Sequence, residues 1–347
     1  MRILVTGSMG YLGAVLVPAL VAEGHETVSV DTDLFEQGDF GQWQNAFSFI
    51  RKDVRDIEAA DLQGMDAVIH LAGLSDDSLG ALLPELTEEV NHQASMRLAT
   101  LAKSAGVGRF IFASSCSIYG NSGDELVNER TLPQPVTPYG VSKVQIEEGL
   151  NKLASRDFSP TFLRTATAYG VSPRLRLDLV LNNLVALAFT TGSVFIKGDG
   201  TPWRPLVHVE DVAHGFLAAM EAPREAVHNE VFNLGREEEN YRVSAIAEVV
   251  RETVPGCRIE YAKEPSPDRR CCRADFGKIA RTIPGYKPTW NIRRGAEELY
   301  NAFRANHLTP ADLEGSTYKR IDTIKQLMKT KRLGPDLRWQ SNKGCSC

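Results

Sequence analysis

A tyrosine and a lysine four positions apart, Tyr139 and Lys143, form the pair in this chain whose types and spacing most suggest chemistry. On a helix the two side chains would project from the same face, one turn apart. A phenol with its ordinary pKa of about 10 is a poor base, and lowering that pKa to about 7 requires roughly 4 kcal/mol. An ammonium group about 4 Å away supplies a similar amount at an effective dielectric constant near 20. The pair therefore suits proton transfer, although this spacing also occurs by chance on solvated helices.

A glycine-rich turn near the start of the chain has the spacing of a phosphate-binding loop. The apolar run at residues 3–5 leads into Gly7, Gly10 and Gly13, and a helical pattern and a second apolar run then end at Asp31. This strand, turn, helix and strand favour a dinucleotide, because glycines let the backbone approach a pyrophosphate and a helix N-terminus attracts it. The spacing is one residue wider than the usual GxGxxG fingerprint. A carboxylate at Asp31 would bind the adenosine ribose and repel a 2′-phosphate, which favours NAD over NADP.

Strand and helix patterns alternate through the first two thirds of the chain, with strands predicted at 66–71, 109–113, 162–164 and 231–235 and a helix at 86–105. The alternation predicts an α/β fold, a Rossmann-type doubly wound parallel sheet that binds ligands at the carboxyl ends of its strands. We expect a smaller, interleaved α/β substrate domain. The predicted division is an NAD-binding domain at 1–170 that is rejoined at about 206–235, a substrate domain at 171–205 and 236–310, and a C-terminal helical tail at 311–347.

The composition of the chain limits the kinds of partner that we expect it to bind. The 347 residues carry a net charge of −5 and are 43% hydrophobic and 24% charged, which is ordinary for a soluble globular protein and argues against broad nucleic-acid binding. We see no secretory signal and no apolar segment long enough to cross a bilayer, so we expect a cytoplasmic protein with no membrane partner. The six cysteines lack metal-ligand spacing, so we expect free thiols and no metal.

Arginines from separate segments could bind an anionic ligand in this acidic chain. Arg174 and Arg176 precede a predicted helix at 178–190, Arg204 lies in a turn, and Arg270 follows a proline-broken loop. If they converge on one cleft they suit a diphosphate, which guanidinium groups bind bidentately. Surface ion pairs are the alternative.

A last helical pattern, at 317–333, has an apolar stripe formed by Ile321, Ile324, Leu327 and Met328. Its basic residues are interpreted as a solvated face.

Taken in order, the motifs of the chain resemble the extended short-chain dehydrogenase/reductase family, specifically its NAD-dependent sugar-nucleotide epimerases and dehydratases. The resemblance covers residues 1 to about 220, and more faintly to about 300. It rests on TGSMGYLG at 6–13, HLAGLS at 70–75, SSCSIYG at 114–120, YGVSK at 139–143, LRTATAYG at 163–170 and RPLVHVEDVA at 204–213.

The resemblance implies a role for each matching position. Ser115 would hydrogen-bond the reacting sugar oxygen, Tyr139 would be the acid/base, and Lys143 would hold the nicotinamide ribose and lower the tyrosine pKa. The implied NAD-binding residues are Gly7, Gly10, Tyr11, Leu12, Gly13, Asp31, Asp53, Val54, Leu71, Ala72, Gly73, Asn91, Ser114, Tyr139 and Lys143. The implied substrate-binding residues are Ser75, Ser115, Cys116, Ser117, Thr167, Arg174, Arg176, Arg204 and Arg270. A nucleotide-diphospho-sugar substrate and a homodimer built through two helices complete the expectation.

The residues after Ser115 favour one reaction within the resemblance. Related dehydratases carry Asp-Glu there for water loss, whereas this chain has Cys116 and Ser117. Ketoreductases usually consume NADPH, which Asp31 disfavours. We therefore expect an epimerase, acting at C4, with a dehydratase, a ketoreductase or a non-catalytic NAD-binding regulator as alternatives. Ser75 and Thr167 replace a lysine and an asparagine of UDP-galactose 4-epimerases, so the sugar stays open, as does the choice between an inert thiol and a proton-transfer role for Cys116.

Overall fold

The computed structural model describes residues 1–41, 47–262, 268 and 270–340. Cys345, Cys347 and the end of the predicted tail lie outside the described residues. The strands are β1 (Arg2–Thr6), β2 (Glu26–Asp31), β3 (Ile50–Arg51), β4 (Ala67–His70), β5 (Arg109–Ser115), β6 (Asn121–Val127), β7 (Ser159–Thr165), β8 (Thr167–Tyr169), β9 (Ser193–Ile196), β10 (Trp203–His208), β11 (Glu230–Leu234), β12 (Asn240–Arg242), β13 (Arg258–Tyr261) and β14 (Cys271–Ala274).

The α-helices are α1 (Gly13–Ala22), α2 (Asp77–Leu82), α3 (Pro84–Thr87), α4 (Ala94–Ser104), α5 (Pro138–Leu153), α6 (Val180–Thr191), α7 (Val209–Glu221), α8 (Arg224–Val227), α9 (Val243–Thr253), α10 (Gly277–Thr282), α11 (Ile292–Ala305), α12 (Pro310–Glu314) and α13 (Arg320–Lys329). Short 3₁₀ turns form at Val54–Asp56, Ala59–Leu62 and Cys116–Tyr119, and one π-helical turn forms at Glu88–Gln93.

A seven-stranded parallel sheet in the order β11-β7-β5-β4-β1-β2-β3 forms the centre of the fold. The chain winds one way through β1, β2 and β3 and then reverses to β4, β5 and β7. Such a switch point opens a crevice at the carboxyl ends of the strands. The predicted Rossmann-type α/β fold is therefore confirmed.

The strands read as unbroken apolar runs because both faces of the sheet are covered. In β1, Ile3 and Val5 face a core shared with α1 and α7, whereas Leu4 faces a second core shared with α4, α5 and α13. All three side chains are fully buried. The two cores fix β1 in the middle of the sheet and set the glycine turn that follows it at the crevice.

Three small sheets and a third apolar core complete the molecule. Strands β8, β10 and β12 form one sheet, β9 and β13 the second, and β6 and β14 the third. The third core packs α6, α9 and α11 together through side chains that include Leu181, Val185, Ile246, Leu299 and Phe303. Strand β14 pairs with β6, which brings the segment around Arg270 to the crevice.

The predicted single helix at 86–105 is α3, the π turn and α4 in succession. Within the described residues, no helix combines the length and apolar character that crossing a membrane requires.

Candidate active site

One large cleft runs along the carboxyl ends of β1, β2, β4, β5 and β7, with a volume of about 2060 Å³ including the space at its open mouth. Its walls contain every residue that the sequence analysis assigned to the site except Asn91 and Arg174. A single crevice thus joins the glycine turn, the serine after β5, the Tyr-Lys pair and three arginines.

The glycine turn has the close backbone packing that a dinucleotide site requires. Gly7 has a φ of +73°, and its amide donates to the Val30 carbonyl at 2.9 Å. A Cβ on Gly7 would stand 2.7 Å from the Ala72 nitrogen, and one on Gly13 would stand 2.3 Å from the Gly7 carbonyl oxygen. Helix α1 begins at Gly13, so its N-terminal end, with the partial positive charge of the helix dipole, lies at the turn. A diphosphate fits this cradle.

Asp31 ends β2 at the same edge. Its carboxylate accepts the Met9 amide at 2.9 Å and the Asp33 amide at 2.7 Å, which fixes the group in place. Burial raises the pKa of Asp31, and these two amides oppose the rise. The remaining lone pairs of the carboxylate suit the hydroxyls of a ribose, so these residues fit NAD.

The next wall of the cleft contains Asp53 and Val54. The Asp53 carboxylate caps the 3₁₀ turn by accepting the Arg55 amide at 2.8 Å, and it pairs with the Arg55 guanidinium at 2.7 Å. Because Asp53 is paired with Arg55, the apolar side chain of Val54 remains as the contact for a nucleotide base.

Helix α5 positions the Tyr-Lys pair. Thr137 caps the helix by accepting the Gly140 amide at 3.1 Å, and Pro138 occupies its first position. Ser115 lies close enough to the Tyr139 hydroxyl to lower the pKa of the phenol, and the Ser115 hydroxyl donates to the Ser117 hydroxyl at 3.1 Å. The Lys143 ammonium donates to the Ala113 carbonyl at 2.6 Å and lies 5.4 Å from the centre of the Tyr139 ring. Serine, tyrosine and lysine therefore meet at one point of the cleft.

The electrostatics of this group differ from the prediction. Burial raises the pKa of Tyr139 to about 12, and the Asp77 carboxylate adds to the rise. Ser115 and the Arg176 and Arg270 guanidinium groups oppose it. Burial also lowers the pKa of Lys143 to about 7, against the pull of Glu147. The prediction that the lysine acidifies the phenol is wrong for the protein alone, because the amine faces a carbonyl and is itself only half charged near neutral pH.

The sequence analysis missed a buried ion pair close to Ser115, Tyr139 and Lys143. Arg164, on β7, donates to both carboxylate oxygens of Glu147, to Oε1 at 3.0 Å and to Oε2 at 2.6 Å. Glu147 also accepts the Ser114 hydroxyl, and Arg164 donates to the Tyr119 hydroxyl at 3.0 Å. The spacing of Lys143 and Glu147 on one helical face was a signal for this network.

Two of the predicted arginines meet around one aspartate. Arg204 and Arg270 donate to the same Asp268 oxygen at 2.8 and 2.7 Å, and Arg270 also contacts Asp77. Although burial opposes them, Arg270 and Arg204 hold the pKa of Asp268 well below its usual range. Arg176 reaches the cleft from the other side, donating to Asp178 at 2.8 Å and to the Ser75 hydroxyl at 3.2 Å.

The two predicted residues outside the cleft have structural partners instead. Arg174 is buried in ion pairs with Asp33 at 2.9 Å and Asp39 at 3.1 Å, so it ties the loop after β2 to the segment before α6. Asn91, in the π turn, accepts the Leu74 amide at 2.7 Å and donates to the Leu74 carbonyl at 3.2 Å. Neither residue lines the cleft, and the assignment of both to ligand binding stays a prediction.

Comparison with known proteins identifies the family of the chain. The family model of the NAD dependent epimerase/dehydratase family matches residues 3–235. The chain belongs to the NAD dependent epimerase/dehydratase family. It is therefore an enzyme whose cofactor is NAD, as the sequence predicted.

Individual relatives within this family include both epimerases and dehydratases. The UDP-glucose 4-epimerase of Neisseria meningitidis serogroup C is 29% identical over 308 residues, which span 79% of this chain and 89% of the relative. The UDP-glucuronic acid 4-epimerase of Bacillus cereus, solved with UDP-glucuronic acid and NAD, superposes with a TM-score of 0.77 at 26% identity, over 88% of this chain and 99% of that one. An NAD-dependent NDP-hexosamine 5,6-dehydratase, TunA, has a TM-score of 0.78 at 25% identity, over 88% and 98% of the two chains.

Proposed function

We propose that this enzyme epimerises a nucleotide-diphospho-sugar at C4 through a transient keto-sugar. The observation that carries the proposal is that Ser115, Tyr139 and Lys143 line one cleft, at the carboxyl edge of a sheet whose glycine turn fits NAD. The UDP-glucose and UDP-glucuronic acid 4-epimerases among the similar proteins support the choice of substrate class and carbon.

Bound NAD supplies the hydride acceptor and donor for the sugar carbon. Tyr139 takes the proton from the sugar hydroxyl and later returns it, and Ser115 holds the reacting oxygen. For the phenol to act near neutral pH, its pKa must fall from about 12 by about 5 units, roughly 7 kcal/mol of preference for the phenolate. Ser115 and the positive charges of Arg176 and Arg270 act in that direction.

Dehydration is the reaction that the site supports less well. It requires a further acid and base beside the sugar, and the side chains that follow Ser115 are a thiol and a hydroxyl. Burial raises the pKa of the Cys116 thiol well above its ordinary value, and the thiol donates to the Arg164 carbonyl at 3.3 Å. Asp76 and Asp77 line the cleft, but each has an arginine as its neighbour. Asp76 lies 4.0 Å from Arg176, and Asp77 pairs with Arg270. Epimerisation needs none of these groups.

We also propose that Arg204 and Arg270 bind the diphosphate of the substrate. Both guanidinium groups pair with the one carboxylate of Asp268. A diphosphate carries more charge and more acceptor oxygens than this carboxylate, so it can replace it. Arg176, next to Ser75 and Asp178, would then face the sugar.

A homodimer and a cytoplasmic location belong to the same proposal. Leu82, Val136 and Val141, each more than 40% exposed, surround the start of α5 and leave apolar surface for a second copy. The four described cysteines are free thiols, the state that a reducing compartment favours.

The test is incubation with UDP-glucose, UDP-glucuronic acid, UDP-N-acetylglucosamine and dTDP-glucose, followed by chromatography and mass spectrometry. We expect one substrate to give an isobaric product with a new retention time. Tyr139→Phe should abolish this conversion while the purified protein keeps its NAD. A product lighter by one water would instead identify a dehydratase, and an active Tyr139→Phe variant would refute the role of the phenol.

A further inference from the structure

The first residue of the C-terminal helix α13, Arg320, is a buried cation that lines the NAD cleft. The residue is 5% exposed, and its guanidinium carbon lies over the Phe35 ring, 3.8 Å from the ring centre. Its backbone amide donates to Asp178 at 3.4 Å, while Ile324 and Leu327 fix the helix in the core shared with α4 and α5. The guanidinium is therefore held at the cleft by the fold and not by chance contact.

The charge of Arg320 has no partner comparable to those of its neighbours. Arg174 pairs with Asp33, and Arg176 pairs with Asp178. Among the described residues, the Arg320 guanidinium forms no ion pair, and its one hydrogen bond is a long contact of 3.5 Å to the Arg174 carbonyl. Burial, Arg176 and Arg174 lower the pKa of Arg320 to about 9, and the Asp178 and Asp31 carboxylates oppose this lowering only in part.

Arg320 and the glycine turn line the same cleft. The carbonyl that the Arg320 guanidinium contacts belongs to Arg174, and Ser172 of the same segment donates to the Tyr11 carbonyl of the turn at 2.7 Å. This segment therefore packs against both the turn and Arg320, which places the guanidinium near the turn that fits a diphosphate. The Asp31 carboxylate, which accepts the Met9 amide of the turn, also acts on the Arg320 charge.

We propose that Arg320 binds the diphosphate of NAD, so that the C-terminal helix, which lies beyond the part of the chain matched by the family model, completes the cofactor site. A buried guanidinium with free N–H groups and a dianionic diphosphate satisfy each other, and the pair is desolvated, which strengthens it. The inference depends on NAD as the cofactor, but not on the sugar or on the reaction.

The rate at which bound NAD leaves the holoenzyme tests the proposal. Purified holoenzyme is mixed with isotopically labelled NAD, and the exchange is followed by mass spectrometry of the protein-bound fraction, without any sugar nucleotide. We expect Arg320→Met to exchange about tenfold faster than the wild type or more, since a charge-assisted hydrogen bond is lost. Arg320→Lys, which keeps the charge but not the paired donors, should fall between the two. Lys325→Met, an exposed position on the same helix, is the matched control and should exchange at the wild-type rate.

Thermal unfolding separates binding from a purely structural role. After removal of NAD, Arg320→Met should melt at the wild-type temperature or above it, because an uncompensated buried cation has been removed. With saturating NAD, the variant should gain less in melting temperature than the wild type. The proposal is overturned if exchange from Arg320→Met stays within about twofold of the control, or if the variant loses the same stability with and without NAD. Failure to epimerise any sugar nucleotide would leave both measurements intact and would refute only the proposed reaction.

Discussion

Replacement of Lys143 by methionine should stabilise the NAD-free protein while it disables the site. Burial lowers the pKa of the amine from 10.5 to about 7, so the folded protein holds this proton more weakly than the unfolded chain does. At pH 7 the difference corresponds to about 4 kcal/mol of unfolding free energy. The lost hydrogen bond to the Ala113 carbonyl subtracts about 1 kcal/mol. Lys143→Met should therefore be more stable by about 3 kcal/mol at pH 7.

The pH dependence of that gain identifies its cause. Between the folded and unfolded pKa values the unfolded chain binds more protons at Lys143, so the stability of the wild type rises with pH from about 7 to about 10.5. The methionine variant lacks this rise, and its advantage should shrink by about 3 kcal/mol between pH 7 and pH 10.

Urea unfolding followed by tryptophan fluorescence at the two pH values gives both numbers. Lys152→Met, an exposed lysine in the last turn of the same helix, is the control and should change little at either pH. A Lys143→Met variant that is less stable at pH 7, or whose advantage does not depend on pH, would refute the reasoning.

Two further substitutions test the parts that surround the pair. Gly13→Ala should yield protein without bound NAD, because the added Cβ would stand 2.3 Å from the Gly7 carbonyl oxygen. Gly108→Ala is the control and should keep the cofactor, because its added Cβ would stand 3.8 Å from its nearest neighbour. Absorbance and mass spectrometry of the two purified proteins measure the bound NAD. Glu147→Gln should lower the unfolding free energy by about 3 kcal/mol in urea, because it leaves the buried Arg164 charge unpaired. Glu148→Gln, its exposed neighbour, should change stability little, and equal effects of the two would contradict the importance of the ion pair.

Local sequence patterns were sufficient for the backbone of the site. The glycine turn, the serine after β5 and the Tyr-Lys pair each depend on residues within about one turn or one strand of each other, so their geometry follows from the elements that contain them. Strand alternation in the same way predicted the sheet and the edge at which the ligands bind.

Side-chain direction and long-range packing could not be predicted in this way. Arg174 and Arg176 differ by two positions in one loop, yet the first pairs with Asp33 and Asp39 outside the cleft while the second enters it. Which one enters depends on carboxylates more than a hundred positions away in the chain. The pKa of Tyr139 was mispredicted for a related reason, since the spacing of the helix places the lysine but does not reveal burial.

Arg320 shows a signal that was present and misread. The basic residues of 317–333 were interpreted as a solvated face, and this is wrong for Arg320, which is buried. Arg320, Ile324 and Leu327 follow the spacing of one helical face, so the arginine shares the side of the apolar stripe. A charge at the end of such a stripe is a candidate for a buried ligand contact.

The most direct test of the central claim follows the hydrogen at C4. UDP-glucose and UDP-glucuronic acid that carry deuterium at C4 are incubated with the NAD holoenzyme in ordinary water, and the products are analysed by mass spectrometry and NMR. We predict a C4 epimer that keeps its mass and its deuterium at C4, because the hydride returns to the carbon it left. Loss of the deuterium to solvent, or a product lighter by one water, would contradict the account.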